Sequence, residues 1–270
     1  MIIKFSAANF RSIYEKVTLD MLATKLTGKE ATISNLFHPS GYKSLPILKS
    51  AVIYGANASG KSNILKAMDF FREFIVNSTN LKFGEPLPYE PFRLFNHATV
   101  EPSSFEMDFI ARDNVRYVYG FKITAEEVVE EYLYSFTSRK KSELFVRKKG
   151  EKIHFGSLFK GEQKVLEDQL LNNNLLLSKA ANSNYEQMQK VYTYFTRGFH
   201  VVLGSLNDSF SMKKSFEDTS FKKYIADFLK VADTGIEAFE VMKQDIGDLK
   251  FPNDMPQAFR EKLAKRSAYK

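Results

Sequence analysis

The 270-residue sequence contains no cysteine and no tryptophan. The absence of cysteine excludes disulfide bonds, thiolate metal sites and a cysteine nucleophile. No apolar run is long enough to span a bilayer. The first residues, MIIKFSAANFRS, lack the apolar stretch and the small-residue cleavage site of a signal peptide. The sequence therefore predicts a cytoplasmic protein that does not associate with membranes.

Apolar and charged residues are present in ordinary proportions. Hydrophobic residues make up 44% and charged residues 26%, a balance typical of soluble globular proteins. The 39 basic and 32 acidic side chains give a formal net charge of +7. This excess is compatible with a polyanionic partner, either a nucleotide or a nucleic acid. It is equally compatible with a basic surface that keeps the protein soluble.

The N-terminal part of the chain alternates between strand and helix patterns. Apolar and polar residues alternate in two short segments that are consistent with a hairpin, and residues 22–46 are rich in turn-forming residues. An apolar, β-branched run then predicts a buried strand, and apolar residues at helical spacing predict one helix. The predicted strands are Ile2–Phe10, Val17–Met21 and Ile47–Tyr54, and the helix runs from Gly60 to about Asn77–Asn80.

The rest of the chain changes from strands to helices. Prolines exclude a helix across Phe83–Pro102. Alternating apolar and polar residues over 105–155 predict an antiparallel meander. Beyond Gly161 the pattern is mainly helical, with a short strand at Gly198–Leu203. The predicted helices span residues 162–172, 184–197, 218–232 and 255–267.

A glycine-rich motif stands between the predicted strand and the predicted helix. It reads Gly55-Ala56-Asn57-Ala58-Ser59-Gly60-Lys61-Ser62 and matches the P-loop pattern G-x-x-x-x-G-K-[ST]. The two glycines permit backbone angles and close approach that a Cβ would obstruct. Successive N–H groups of such a loop point inward and bind an anion, and the following helix adds its positive N-terminal dipole.

The motif predicts a nucleoside triphosphate, ATP with Mg²⁺, as the ligand. Lys61 is placed to contact the β- and γ-phosphates, and the Ser62 hydroxyl is placed to ligate Mg²⁺. The alternative is a glycine-rich turn that binds no ligand. A strand before the motif and a helix after it, both of which the pattern predicts, favour the nucleotide.

The residues around this motif resemble a known class of ATPase. The segment YGANASGKSNILKAM resembles the P-loop of ABC-type ATPases related to RecF and the SMC proteins, and IIKFSAANFRSI resembles their opening strand and N-F-[RK]-S element. More narrowly, the chain is similar to AAA-type ABC ATPases of phage-defence operons, such as the Septu ATPase, AbiL and the ATPase part of RloC. Looser similarities, such as PFRLFN at 91–96 and VADTGIEAFEV at 231–241, extend over almost the whole chain.

This resemblance implies an α/β fold, in which an ABC-type P-loop ATPase core carries an N-terminal antiparallel β-subdomain and a helical region. Residues 1–160 would form the nucleotide-binding lobe, and residues 161–270 would form a mainly helical region of the same ATPase. The resemblance implies that ATP and Mg²⁺ bind Gly55–Ser62 together with Asn63, and that Arg11 and Ser12 lie near the nucleotide. Arg11 could equally be a surface arginine in a turn.

Several elements that the resembling ATPases use for hydrolysis are missing. The sequence has no L-S-x-G-like signature, no run of four apolar residues ending in Asp-Glu and no recognisable switch histidine, so no catalytic residue can be named. The nearest apolar run, Phe228–Asp233, contains Lys230 and is followed by Thr234. Asn96 and Gln163 are candidates for the Q-loop ligand by residue type alone. Because the family carries its missing elements further towards the C-terminus, we expect an N-terminal portion of a longer ATPase, either truncated or naturally split.

A run of basic side chains lies on a predicted hairpin at residues 138–152. Such a ridge could follow the phosphate backbone of a nucleic acid, or it could be a solvated surface. The seven basic residues are Arg139, Lys140, Lys141, Arg147, Lys148, Lys149 and Lys152.

Three functions are compatible with these features. The first is an ATP-driven switch in a phage-defence system, which binds ATP at the interface of a homodimer or higher oligomer and controls a partner nuclease. The second is a DNA-repair or chromosome-maintenance ATPase of the RecF and SMC type. The third is a nucleotide-sensing scaffold that binds ATP without hydrolysing it.

Overall fold

The chain divides into two compact units, residues 1–203 and residues 204–270. The first unit is built around a seven-stranded antiparallel sheet. The computed structural model describes residues 1–24, 35–42, 44–137, 140–203, 215, 217–231 and 238–240. The strands are β1 Ile2–Ala8, β2 Val17–Asp20, β3 Leu36–Phe37, β4 Ile47–Leu48, β5 Ser103–Ile110, β6 Arg116–Ile123, β7 Val128–Phe136, β8 Ser142–Lys148 and β9 His154–Phe155. The large sheet has the order β2-β1-β5-β6-β7-β8-β9, and β3 pairs with β4 separately.

One face of the sheet packs against helix α1, Lys61–Asn77. Alternate residues of the strands point towards this helix, as the period of two in a strand requires. Phe71 of the helix stacks on Phe121 with ring centroids 5.2 Å apart, and it meets Phe5 edge to face at 5.6 Å. The large phenylalanines thus form the interior between sheet and helix, and this packing fixes the direction of the helix.

A bulge in β1 creates a smaller apolar cluster on the opposite face of the sheet. Ile2 pairs with Phe109 and Lys4 pairs with Asp108, so Ile3 has no partner of its own and the register shifts there. Such a shift leaves the extra residue unpaired in the ladder and changes the direction of its side chain. Ile3 therefore packs with Ile47 and Ile110.

Short helices follow the sheet. They are α2 Gln163–Asp168, α3 Leu176–Asn182 and α4 Glu186–Thr193, which continues into one π-helical turn at Tyr194–Gly198. The second unit contains helix α5, Thr219–Val231. The predicted helices 162–172, 184–197 and 218–232 are confirmed with shorter bounds. The predicted strand at Gly198–Leu203 is wrong, because 194–198 completes the π-helical turn and 199–203 has no strand structure. The predicted helix 255–267 lies outside the described residues.

A buried ion pair joins the sheet to α3. Glu131 on β7 and Arg147 on β8 lie 3.7 Å apart, and the carboxylate also accepts hydrogen bonds from the Tyr119 hydroxyl and from the backbone amides of Leu176 and Leu177. Burial raises the pKa of Glu131, and Arg147 and the two amides oppose this increase. The Arg147 guanidinium donates to the carbonyl oxygens of Leu171, Asn172 and Asn174.

The fold class is confirmed as a mixed α/β fold with an N-terminal antiparallel sheet and a helical region. The predicted hairpin of β1 with β2 and the predicted meander over 105–155 are both present. The predicted buried strand Ile47–Tyr54 is wrong beyond Leu48. Val52 is 71% exposed and Tyr54 is 87% exposed. A strand needs a neighbour for its backbone groups, and none of the described residues pairs with 51–54.

Candidate nucleotide-binding site

The P-loop is a tight turn that leads directly into α1. The amide of Ser59 donates to the carbonyl of Ala56 at 3.2 Å, so the backbone turns back on itself. Ala58 has φ +64 and Gly60 has φ +91, both in the left-handed region. A non-glycine residue in this region is uncommon and marks a constrained turn. The turn ends at Gly60, which caps the helix that begins at Lys61.

The two motif glycines stand where a side chain would interfere. A Cβ added at Gly55 would lie 2.7 Å from the hydroxyl oxygen of Ser59, closer than real Cβ contacts. A Cβ at Gly60 would lie 3.4 Å from the hydroxyl oxygen of Ser12, and the positive φ of Gly60 strains any other residue. The requirement for glycine is therefore firm at Gly60, where the backbone is left-handed, whereas at Gly55 a rotation of the Ser59 hydroxyl would make room for a Cβ.

Lys61 folds back over the loop. Its ammonium donates to the carbonyl of Gly55 at 2.7 Å and to the carbonyl of Ala56 at 2.5 Å. The side chain thus places a positive charge directly above the P-loop turn. Phosphate oxygens are stronger acceptors for an ammonium than carbonyl groups are, so a bound phosphate can replace these two contacts.

The start of α1 has an uncompensated positive dipole. The first turn contains no acidic residue, and no side chain caps its amides. The first amides of a helix have no intrahelical acceptor and can bind an anion; here the amide of Asn63 already donates to the carbonyl of Gly60, which leaves those of Lys61 and Ser62. Ser62 is exposed in this same turn. These donors fit the phosphates of a nucleotide, and the Ser62 hydroxyl is the group that would hold Mg²⁺, which would neutralise part of the phosphate charge.

A cleft of about 630 Å³ opens beside the P-loop. Its lining includes Gly60 and Lys61 of the P-loop, the apolar side chains of Val17 and Leu19, and the acidic side chain of Glu15. This volume lies within the range of small-molecule sites, about 300–1,000 Å³. The cleft therefore places the P-loop turn next to apolar side chains of β2. Sequence reasoning did not identify Val17 and Leu19, because an ordinary strand pattern carries no sign of a ligand.

Arg11 and Ser12 of the N-F-R-S element contact different parts of the protein. Arg11 forms an ion pair with Glu90 at 2.6 Å and lines a different cavity, of about 430 Å³, along α1. Ser12 lines the cleft beside the P-loop and accepts a hydrogen bond from the side chain of Asn63 at 2.5 Å. The structure thus brings Ser12 and Asn63 to the loop and places the Arg11 guanidinium against Glu90.

The two Q-loop candidates lie elsewhere. Asn96 is exposed and directly precedes the 3₁₀ turn His97–Thr99, and Gln163 is the exposed first residue of α2. Neither lines the cleft beside the P-loop. Among the described residues, no group of histidines and carboxylates has the arrangement of a metal site.

Arg147 does not belong to an exposed basic ridge as the sequence predicted. This residue is buried and bound to Glu131 and three carbonyl groups, so it cannot contact a phosphate backbone. Lys141 lies over the ring of Tyr134 at 3.5 Å, and Lys149 pairs with Glu127 at 2.5 Å. Lys148 is exposed. Arg139 lies outside the described residues.

A glycine-capped phosphate loop that opens a helix on a mixed α/β fold defines a P-loop nucleotide-binding protein. Residues 50–256, which include the whole P-loop, match the model of the family described as "AAA domain, putative AbiEii toxin, Type IV TA system". This match covers most of the chain, and the chain therefore belongs to this family of AAA-domain P-loop ATPases. No curated protein matches the sequence. In the part of the chain that the structure describes, no helix is long and apolar enough to cross a membrane.

Proposed function

We propose that the protein is an ATP-driven switch in an anti-phage defence system and that it controls a partner nuclease. The observation that carries the nucleotide part is the P-loop, with Lys61 held above the turn and an anion-binding helix start behind it. The family description, which names a toxin of a type IV toxin–antitoxin system, supports a role in defence. The similarity to the Septu, AbiL and RloC ATPases supports it further.

The described residues account for binding more fully than for hydrolysis. The loop amides and Lys61 would hold the triphosphate, and Ser62 would hold Mg²⁺. Hydrolysis also needs a group that activates water and additional positive charge at the γ-phosphate. The sequence has no apolar run that ends in Asp-Glu. A second copy of the same sequence does not supply this run either, so we assign ATP binding, and not hydrolysis, to the described residues, with the nucleotide at the interface of a homodimer or higher oligomer.

A phage-challenge experiment tests this proposal. Cells that carry the native locus would be infected with a panel of phages, and plaque formation would be compared with cells that carry Lys61→Ala. The matched control is Lys164→Ala, an exposed lysine on α2. We expect protection by the wild type and by the control but not by Lys61→Ala. Equal protection by Lys61→Ala would show that the P-loop does not drive the defence.

The exposed lysines near Lys148 favour a second function, a DNA-repair or chromosome-maintenance ATPase. A positive surface that binds phosphate groups would serve such a protein without a partner nuclease. Deletion of the gene separates the two functions. Sensitivity to DNA damage in the absence of phage would support the repair function, whereas unchanged survival after damage with loss of phage protection would support the defence function.

A further inference from the structure

The turn Asn9–Ser12 connects two distant parts of the protein. It follows β1, and both Asn9 and Arg11 have φ of 50. The amide of Asn9 donates to the carbonyl of Tyr14 at 2.9 Å, and the amide of Phe10 donates to the carbonyl of Ile13 at 2.7 Å. The Phe10 side chain is buried in the main core. These contacts make the turn a single rigid unit.

At one end of this turn, Asn9 holds a loop that lies more than eighty residues away in sequence. Its side-chain oxygen accepts the amide hydrogen of Phe92 at 2.9 Å. Its side-chain nitrogen donates to the carbonyl of Ala98 at 2.8 Å and to the carbonyl of Glu101 at 2.7 Å. Asn9 is only 4% exposed, so these bonds form away from water. A buried amide with its partners satisfied gives the loop 92–101 a defined position.

At the other end of the turn, Ser12 contacts the P-loop and the start of α1. Its hydroxyl accepts a hydrogen bond from the side chain of Asn63 in the first turn of α1, and it lies beside Gly60. The amide of Asn63 in turn donates to the carbonyl of Gly60 at 2.8 Å. Ser12 therefore contacts the part of the P-loop that must keep a left-handed backbone to bind phosphate.

We propose that Ser12 and Asn63 are positioning residues, through which nucleotide binding at the P-loop further stabilises the loop 92–101 in the position that Asn9 gives it. This inference rests on the proposed nucleotide binding. A bound triphosphate holds Gly60 and the first turn of α1 in place, and this stabilises the contact between Asn63 and Ser12. Because the Asn9–Ser12 turn is rigid, its Asn9 end then holds the loop 92–101 more firmly. By thermodynamic linkage, the ordered loop raises nucleotide affinity by the same factor.

Amide hydrogen exchange with mass spectrometry tests this coupling. Nucleotide binding would first be measured by titration calorimetry with a non-hydrolysable ATP analogue and Mg²⁺. Exchange in 92–101 would then be followed with and without saturating analogue. We expect the analogue to slow exchange about fivefold or more in the wild type, at the lower end of measured allosteric couplings. The amides of Phe92, Thr99 and Val100 report directly, because each donates within this loop or to Asn9.

The variant Ser12→Ala removes the acceptor, and Asn63→Ala the donor, of the hydrogen bond between these two side chains. At saturating analogue each should lose the protection of 92–101, and nucleotide affinity should fall by the factor that the wild-type protection shows. Ser12→Thr keeps a hydroxyl and should restore both. The double variant should lose no more than either single variant, because both remove the same bond. Ser157→Ala, in the turn after β9, is the control for removal of a serine elsewhere.

The outcomes separate the two proposals. A wild-type protein that binds no analogue contradicts the proposed function and this inference together. A wild-type protein that binds the analogue with unchanged exchange in 92–101 overturns the inference alone. Protection of 92–101 that persists in Ser12→Ala at saturating analogue also overturns the inference alone. Ser12 is exposed, so its replacement leaves the core intact and a folded variant is expected.

Discussion

Replacement of Arg147 by methionine separates a structural role from a nucleic-acid role for the basic segment. In the structure the guanidinium is buried, pairs with Glu131 and donates to carbonyl groups at 2.7, 3.2 and 3.3 Å. Methionine matches the aliphatic part of the arginine side chain but has no charge or donor. The change therefore leaves the fully buried Glu131 carboxylate without its ion-pair partner.

The expected loss of stability is large. Removal of one partner from a buried ion pair costs about 3–5 kcal/mol, because the other charge remains uncompensated in the interior. For a unit of this size, 1 kcal/mol changes the melting temperature by about 2–4 °C, so Arg147→Met should lower it by about 6–20 °C. Lys148→Met, at the exposed neighbouring position, is the matched control and should change stability by no more than about 0.5 kcal/mol.

Thermal unfolding followed by circular dichroism measures both variants. Glu131→Gln in the Arg147→Met background provides a further check. The glutamine removes the unpaired negative charge of Glu131, while its side-chain carbonyl can still accept an amide hydrogen bond. We expect the double variant to be more stable than the sum of the two single losses predicts. Melting of Arg147→Met within about 1 °C of the wild type, together with weakened polyanion binding, would refute the buried arrangement.

Three further predictions concern the ligand sites. Lys61→Ala should weaken binding of an ATP analogue about 10- to 150-fold, which corresponds to removal of a charge-assisted hydrogen bond of about 1.5–3 kcal/mol; unchanged affinity in calorimetry would contradict the assignment. Ser62→Ala should keep the affinity measured without Mg²⁺ and lose most of the increase that Mg²⁺ produces, because the loop amides remain and one metal ligand is removed. A wild-type Mg²⁺ response would exclude Ser62 as the ligand. Lys148→Gln combined with Lys152→Gln should reduce the slope of log affinity against log salt for double-stranded DNA by about 0.9 for each phosphate that the variant no longer neutralises. A variant with the wild-type slope would show that these lysines do not bind DNA.

The sequence was sufficient to predict those features that depend on residues close together in the chain. The P-loop turn follows from glycines at fixed spacing, and the meander over 105–155 follows from alternation in consecutive strands. Such features form from contacts between residues that are close in the chain. The N-F-R-S element marked an important turn, and Asn9 could have been noticed there, because asparagine tolerates the positive φ that the turn uses.

Other features depend on contacts between residues that are distant in sequence, and only the tertiary structure decided them. Arg147 has the same chemistry as its basic neighbours, but the register of β7 against β8 turns it inward onto Glu131. Arg11 meets Glu90 across seventy-nine positions of the chain. The segment after Leu48 has the composition of a strand, but a strand forms only where a neighbour supplies its hydrogen bonds. Local backbone preferences thus determined the phosphate-binding loop, whereas pairing and burial determined which side chains remain free to act around it.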